Sequence, residues 1–82
     1  MNSFSYFHNG KPHKASFSPY VREGYDRYKV TLDDGTSFVM ARFGINPRFW
    51  LQAVQQKDEI NYPHDLVQAI GEGLELKLLD NI

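Results

Sequence analysis

Residues 28–41 read YKVTLDDGTSFVMA, and this stretch determines the fold class. Apolar and polar residues alternate on both sides of the break at Asp33-Asp34-Gly35. Such alternation is typical of a half-buried strand, and Asp-Gly between two alternating runs is typical of a hairpin. The stretch therefore predicts two antiparallel strands joined by a tight turn.

The same alternation predicts the length of the loop. A two-residue loop at Asp34-Gly35 would pair Val30 with Val39, whereas a three-residue loop that closes a G1 bulge would pair Val30 with Phe38. Only the longer loop, with Gly35 in the left-handed region, puts the large apolar side chains on one face. Those side chains are Tyr28, Val30, Leu32, Phe38 and Met40. We therefore predict the three-residue loop.

An earlier hairpin is predicted around Asn9-Gly10. Apolar residues alternate with polar ones on both sides of this dipeptide, at Phe4, Tyr6, Ala15 and Phe17. Asn-Gly is a strong hairpin signal because both central residues of the turn take positive φ. A two-residue loop pairs His8 with Lys11 and Phe4 with Ala15.

Residues 43–56 allow two interpretations. Asn46-Pro47 could cap a short helix over 48–56, or residues 44–47 could form a turn before a fifth strand over 49–54. Leu51, Gln52 and Ala53 favour the helix, while Phe49, Trp50 and Val54 favour the strand. We prefer the strand, because it would extend the meander begun by the second hairpin.

The last segment is predicted to be a helix, because Leu66, Ile70, Leu74 and Leu78 recur at every fourth position. Asn61 is the expected N-cap, Pro63 suits the first turn, and Asp65 complements the positive end of the helix.

Two glycines interrupt this helix, each costing about 1 kcal/mol relative to alanine. Gly73 lies on the apolar stripe and should let the helix approach the sheet closely. Gly71 lies off the stripe, and one interpretation is that a second helix or strand packs there, including one from another subunit.

Together these elements predict a single α+β domain over residues 1–82, with an antiparallel sheet of four or five strands covered by a C-terminal helix. The layout, notably residues 28–41 followed by Trp50 and the run 66–75, resembles small uncharacterised bacterial proteins with a β-meander and a closing helix. The resemblance implies this fold and implies no activity.

Composition limits the classes of protein to consider. The 82 residues include no cysteine, which excludes a disulfide framework, a thiolate zinc site and a cysteine nucleophile. No run approaches the ~20 apolar residues of a membrane-spanning helix, and the start lacks the pattern of a secretory signal. We therefore expect a soluble cytoplasmic protein.

The two halves of the chain have opposite charge. Residues 1–48 have seven basic against four acidic side chains, a net charge of +3, and residues 49–82 have two basic against six acidic ones, a net charge of −4. Attraction between a basic sheet and an acidic helix would explain this. A basic surface for an anionic partner is the alternative.

The sequence contains no pattern of residues typical of catalysis. His8 and His13 flank the first turn without an acidic neighbour at ligand spacing, and His64 precedes a predicted helix. The serines lack the glycine-flanked elbow of a nucleophile, and Gly71-Glu72-Gly73 follows no strand as a phosphate loop would. We therefore expect neither enzyme activity nor a bound metal or cofactor, and an enzyme or metal site built on His8 and His13 is the minor alternative.

Binding to another protein chain is the preferred function, and a second copy of this chain is one such partner. Phe7, Val39, Phe43 and part of Trp50 are apolar residues that the core faces do not use, and we expect them to form an interaction surface. The edges of the sheet offer a second route to self-association, including a homodimer.

The alternative is weak binding of single-stranded nucleic acid. Lys14, Arg27 and Lys29 are expected on the polar face of the sheet, with Arg42 and Arg48 just beyond the second hairpin. Phosphates would meet these charges while bases stack on an outward aromatic such as Phe7.

Overall fold

The computed structural model describes residues 2–20, 27–43 and 49–80, which form a five-stranded antiparallel sheet and one helix. The strands are β1 (Asn2–His8), β2 (Lys11–Pro19), β3 (Arg27–Leu32), β4 (Ser37–Phe43) and β5 (Phe49–Gln52), and the helix is α1 (His64–Asp80). The strands lie side by side in chain order. The α+β class is confirmed.

The β3–β4 hairpin has the predicted three-residue loop. The amide of Leu32 donates to the carbonyl of Thr36 at 2.8 Å, and Gly35 takes a φ of 91°. Val30 accordingly pairs with Phe38. The Asp34 carboxylate accepts bonds from both the amide and the hydroxyl of Thr36. These bonds lower the pKa of Asp34.

The β1–β2 hairpin also has its predicted turn and register. Asn9 and Gly10 have φ values of 55° and 74°, and the flanking His8 pairs with Lys11. Both values lie in the left-handed region that a two-residue type I′ turn requires.

Residues 49–52 form a strand, as preferred, although it ends at Gln52 and does not reach Val54. The side chain of Gln52 stabilises the following loop, because its Oε1 accepts from the amide of Tyr62 and its Nε2 donates to the carbonyl of Ile60, both at 2.8 Å. The turn expected at residues 44–47 lies outside the described residues.

The sheet curls into a half-barrel, so that α1 packs against both edge strands, β1 and β5. Twist of the same hand between successive strands accumulates across a sheet and brings its edges round. The core lies between α1 and the inner face, which we define as the side of the sheet that faces α1. Its buried residues are Phe4, Tyr6, Ala15, Phe17, Val30, Phe38, Met40, Trp50, Val67, Ile70 and Leu74.

The two helix glycines fit α1 between these edge strands. A Cβ on Gly73 would lie 2.4 Å from the carbonyl oxygen of Ser5 in β1, so this glycine permits the predicted close approach to the sheet. A Cβ on Gly71 would lie 2.1 Å from Cγ of Trp50 in β5. The prediction that Gly71 lies off the buried stripe was wrong, since it is buried beneath the indole of Trp50 in the same chain.

The start of the helix also differs from the prediction. The amide of Val67 donates to the carbonyl of Pro63, which therefore occupies the N-cap position, and neither Asn61 as the cap nor Pro63 in the first turn is correct. Val67 is buried, whereas Leu66 of the predicted stripe is only half-buried. The buried face of the helix is therefore rotated slightly about the helix axis from the predicted one.

Candidate interaction surfaces

The outer face of the sheet, the side away from α1, is made of the residues that alternate with the core residues. Strand pairing places six hydroxyl side chains on it, at Ser3, Ser5, Ser16, Ser18, Thr31 and Ser37. The charged residues that the strands place on this face are Lys14, Arg27 and Lys29, and all are basic. The outer face is therefore mainly polar over β1, β2 and β3, apart from Phe7 and Pro12, and its basic residues lie on β2 and β3.

Its character changes at the far end of β4 and β5. Phe43 and Phe49 are paired across these strands, and their rings stack with centroids 5.8 Å apart and planes 22° apart. Leu51, opposite Ala41, continues the same face along β5. Phe43, Phe49 and Leu51, each 37–41 % exposed, form a contiguous surface that we call the outer apolar patch.

The residues predicted to form an interaction surface are only partly exposed. Phe7 and Phe43 are exposed, but Val39 is 6 % exposed and Trp50 is fully buried, so neither belongs to an open surface. Trp50 is paired with Arg42, and both side chains lie on the inner face of the sheet. There the indole of Trp50 packs against Gly71. Sequence alternation within 49–52 would have identified Phe49 and Leu51 as the outward pair once this segment is assigned to a strand.

A second exposed apolar surface lies between the edge strand β1 and the helix. Its walls are Ser5, Tyr6 and Phe7 of β1 and Ala69, Glu72, Gly73 and Leu76 of α1, and we call it the α1–β1 groove. It has a volume of about 170 Å³. Phe7 and Leu76 are 68 % and 67 % exposed, and Leu79, one turn beyond Leu76, is also exposed. Leu76 was not predicted from the sequence, because it lies outside the apolar stripe that recurs at every fourth position of the helix.

The sheet edges are less open than the sequence suggests. At β5 the amide of Trp50 donates to Oε1 of Gln68 at 2.9 Å, and the indole Nε1 donates to Glu75 at 3.2 Å. At β1 the backbone of α1 lies directly against the carbonyl of Ser5, where Gly73 is placed. The expectation that open edges invite strand pairing is therefore wrong at these positions, because α1 covers them.

The five predicted nucleic-acid residues do not share one face. Lys14, Arg27 and Lys29 lie on the outer face as expected. Arg42 lies on the inner face, with its guanidinium carbon 5.9 Å from the centroid of the Trp50 ring, in cation–π contact. The prediction that Arg42 joins a basic outer surface is therefore wrong, and Arg48 lies outside the described residues.

The histidines have structural partners. Nε2 of His8 lies 3.0 Å from Oδ2 of Asp65, which joins the tip of the first hairpin to the first turn of α1. This bond lowers the pKa of Asp65. His13 stacks on Tyr6 with centroids 5.2 Å apart. The expectation that neither His8 nor His13 has an acidic neighbour is wrong for His8. Its partner Asp65 is 57 residues away along the chain, so spacing in the sequence did not reveal the contact.

An open groove of about 340 Å³ lies near the turn end of β2, lined by Ser5, Pro12, His13, Lys14 and Asp33. Burial raises the pKa of the neighbouring Tyr6 phenol, and the negative charges of Asp33 and Asp34 raise it further. No group of three or more His, Asp or Glu side chains within residues 2–20, 27–43 and 49–80 is arranged to hold a metal ion.

Comparison of this chain with protein-family models, with curated proteins and with solved structures finds no significant match. None of the helices in the described part of the chain is long and apolar enough to cross a membrane. The arguments for function therefore rest on the surfaces themselves.

Proposed function

We propose that this domain is a non-catalytic protein-interaction module and that the outer apolar patch is its binding surface. The single observation that supports this most is the stacked pair of Phe43 and Phe49, which with Leu51 leaves three large, partly exposed apolar side chains side by side on the outer face. Contiguous exposed apolar surface of this kind is typical of protein-binding sites. Stacked aromatic rings on paired strands also lose little conformational entropy when a partner covers them.

The test is native mass spectrometry of the gently purified protein, comparing the natural sequence with Leu51→Lys. We expect the natural chain to retain a second polypeptide, either its own copy or another protein, and Leu51→Lys to lose it. Ile60→Lys is the matched control, because Ile60 is also exposed but lies in the loop before α1, and it should retain the polypeptide. A natural chain without any bound polypeptide, or equal retention by Leu51→Lys, would contradict the proposal.

Thermal unfolding of all three proteins shows whether the substitutions leave the fold intact. Leu51 and Ile60 both face solvent in part, so we expect similar melting temperatures. A loss of binding by a folded Leu51→Lys protein then reports on the surface alone.

A second candidate function is weak binding of single-stranded nucleic acid on the outer face. It is supported by the positive charge of Lys14, Arg27 and Lys29 on the same face as the stacked aromatic pair. Binding of a single-stranded oligonucleotide that falls steeply with salt and is reduced by Lys29→Glu would support it. Absence of binding at low salt would exclude it.

We also propose that the protein acts in the cytoplasm. The absence of cysteine from the whole sequence supports a compartment in which disulfides do not form.

A further inference from the structure

The outer apolar patch and the α1–β1 groove are separate surfaces. The patch belongs to β4 and β5, whereas the groove belongs to β1 and α1, so the two share no element. They also differ in form, because the patch includes two stacked rings on the face of the sheet and the groove is a depression. A single copy therefore presents an apolar patch and an apolar groove.

Their charged surroundings are opposite in sign. The outer face that includes the patch has only basic charged residues within its strands, among them Lys29 opposite Val39 and Arg27 opposite Ala41. The groove includes the exposed carboxylate of Glu72, which is the one charged side chain among its described lining residues. The charge asymmetry of the sequence thus becomes an asymmetry between two surfaces, which favours their mutual attraction.

The sizes are also compatible. The groove volume of about 170 Å³ is comparable with the roughly 150 Å³ cavity that holds a benzene ring in an engineered protein core. An aromatic side chain such as Phe49 could therefore enter between Phe7 and Leu76. Docking through side chains is favoured over strand addition, because α1 lies against the backbone of β1 at Ser5.

We propose that the outer apolar patch of one copy docks in the α1–β1 groove of a second copy, head to tail. This inference rests on the proposed interaction function and identifies the partner as the same chain. A contact between two different surfaces is heterologous, so successive copies add in a row or close into a ring. Each copy in such an assembly uses its patch and its groove at the same time.

The test uses two variants, each of which blocks one surface. Phe49→Glu places a negative charge in the patch, where it opposes the acidic groove, and Leu76→Arg places a positive charge in the groove, where it opposes the basic outer face. Sedimentation velocity of the natural chain should show average mass rising with concentration beyond that of a dimer. Each variant alone should be monomeric, with the dissociation constant raised at least about 30-fold, the loss expected for an anchor residue.

The decisive measurement is the equimolar mixture of the two variants. Phe49→Glu retains a natural groove and Leu76→Arg retains a natural patch, so the mixture should restore association through this natural pair of surfaces, beginning with a 1:1 heterodimer. Ile60→Glu, a substitution in the loop between β5 and α1, is the control and should associate like the natural chain. Circular dichroism should show the same folded content in every variant.

Other outcomes separate this inference from the proposed function. A mixture that stays monomeric while the natural chain associates would overturn the head-to-tail contact. A natural dimer that Phe49→Glu abolishes and Leu76→Arg leaves intact would mean patch-to-patch association, which overturns the inference and supports the function. A natural chain that is monomeric at all concentrations but binds another polypeptide through Leu51 would do the same. A monomer that binds no polypeptide would contradict both.

Discussion

Gly71 stabilises the native state through the space it leaves empty. Its position beneath the Trp50 indole lets α1 approach β5, and any side chain there would occupy the volume of the ring. Helix propensity favours alanine over glycine by about 1 kcal/mol, so local preference and tertiary packing oppose each other at this residue. The structure indicates that packing dominates, because a Cβ would lie 2.1 Å from Cγ of a fully buried tryptophan.

We therefore expect Gly71→Ala to lower the free energy of unfolding by roughly 1–3 kcal/mol, the usual effect of overpacking, despite its gain in helix propensity. Urea denaturation monitored by far-ultraviolet circular dichroism measures this directly, with and without Trp50. The control is the same substitution in a Trp50→Leu background, where the clash is relieved and the loss should shrink. Equal or greater stability of Gly71→Ala in the natural background would mean that the helix does not approach Trp50 in this way.

Prediction from sequence succeeded at single residues where the local chemistry allows few alternatives. Asn9, Gly10 and Gly35 have the positive φ values that their turns require, and each was identified from its neighbours alone. Gly71 was not, because the residue that explains it lies 21 positions earlier in the chain and on another element. A contact of this kind leaves no periodic trace in the sequence.

At the level of elements, α1 both closes the core and covers the strand edges. The Gln68 side chain accepts a hydrogen bond from the amide of Trp50, which faces away from β4, on the side where none of the described strands pairs with β5. A side-chain amide therefore takes the place of a sixth strand at this position. Such covering of an edge is a general means of preventing unwanted strand pairing.

We expect Gln68→Ala to lower the free energy of unfolding by roughly 1 kcal/mol and to speed hydrogen exchange of the Trp50 amide. The exchange rate of the Val30 amide, in the central strand, is the reference. It should change only by the amount that the lower free energy of global unfolding explains. Gln68→Glu retains an acceptor oxygen at the same place and should preserve the protection of Trp50. Unchanged exchange at Trp50 in Gln68→Ala would show that this bond does not protect the edge.

The elements differ in how far the sequence predicts them. Both hairpins were predicted with their registers, because alternation and turn residues agree at each. The fifth strand was ambiguous because residues 49–56 combine strand-forming and helix-forming side chains, and pairing with β4 resolves it. The helix was predicted, but its start was not. Pro63 occupies the N-cap position, and its side chain has no polar group by which a sequence pattern could identify it.

At the scale of the whole molecule, curvature of the sheet determines which apolar residues stay exposed. It brings β1 and β5 to the same helix, which buries Trp50 and leaves Phe7 beside Leu76 at the margin of α1. Of the four residues predicted to be exposed, Phe7 and Phe43 are exposed and Val39 and Trp50 are buried. Alternation along a strand assigns a residue to a face of the sheet, but it does not show what covers that face. Val39 is the clearest case, since it lies on the outer face and is nevertheless buried.

Salt dependence provides a test of the head-to-tail contact that is independent of the apolar anchors. If a basic outer face meets an acidic helix, raising ionic strength from 0.1 to 1 M shortens the Debye length from about 10 to 3 Å and should weaken association. A purely apolar contact would instead hold or strengthen. Measured by sedimentation, the natural chain should therefore dissociate as salt increases, and a salt-independent constant would contradict the electrostatic part of the contact.

Charge reversal assigns that salt effect to particular residues. Lys29→Glu and Glu72→Lys should each weaken self-association and flatten its salt dependence, because each places like charges across the contact. In an equimolar mixture the natural outer face of Glu72→Lys can still meet the natural groove of Lys29→Glu, so dimers should reappear with the salt dependence of the natural chain. Lys57→Glu, in the loop before α1, reverses a charge outside both surfaces and should leave association unchanged. If Lys57→Glu weakened self-association as much as the other two substitutions, only the net charge of the chain would matter. That result would contradict complementarity between the two surfaces, which depends on where each charge lies.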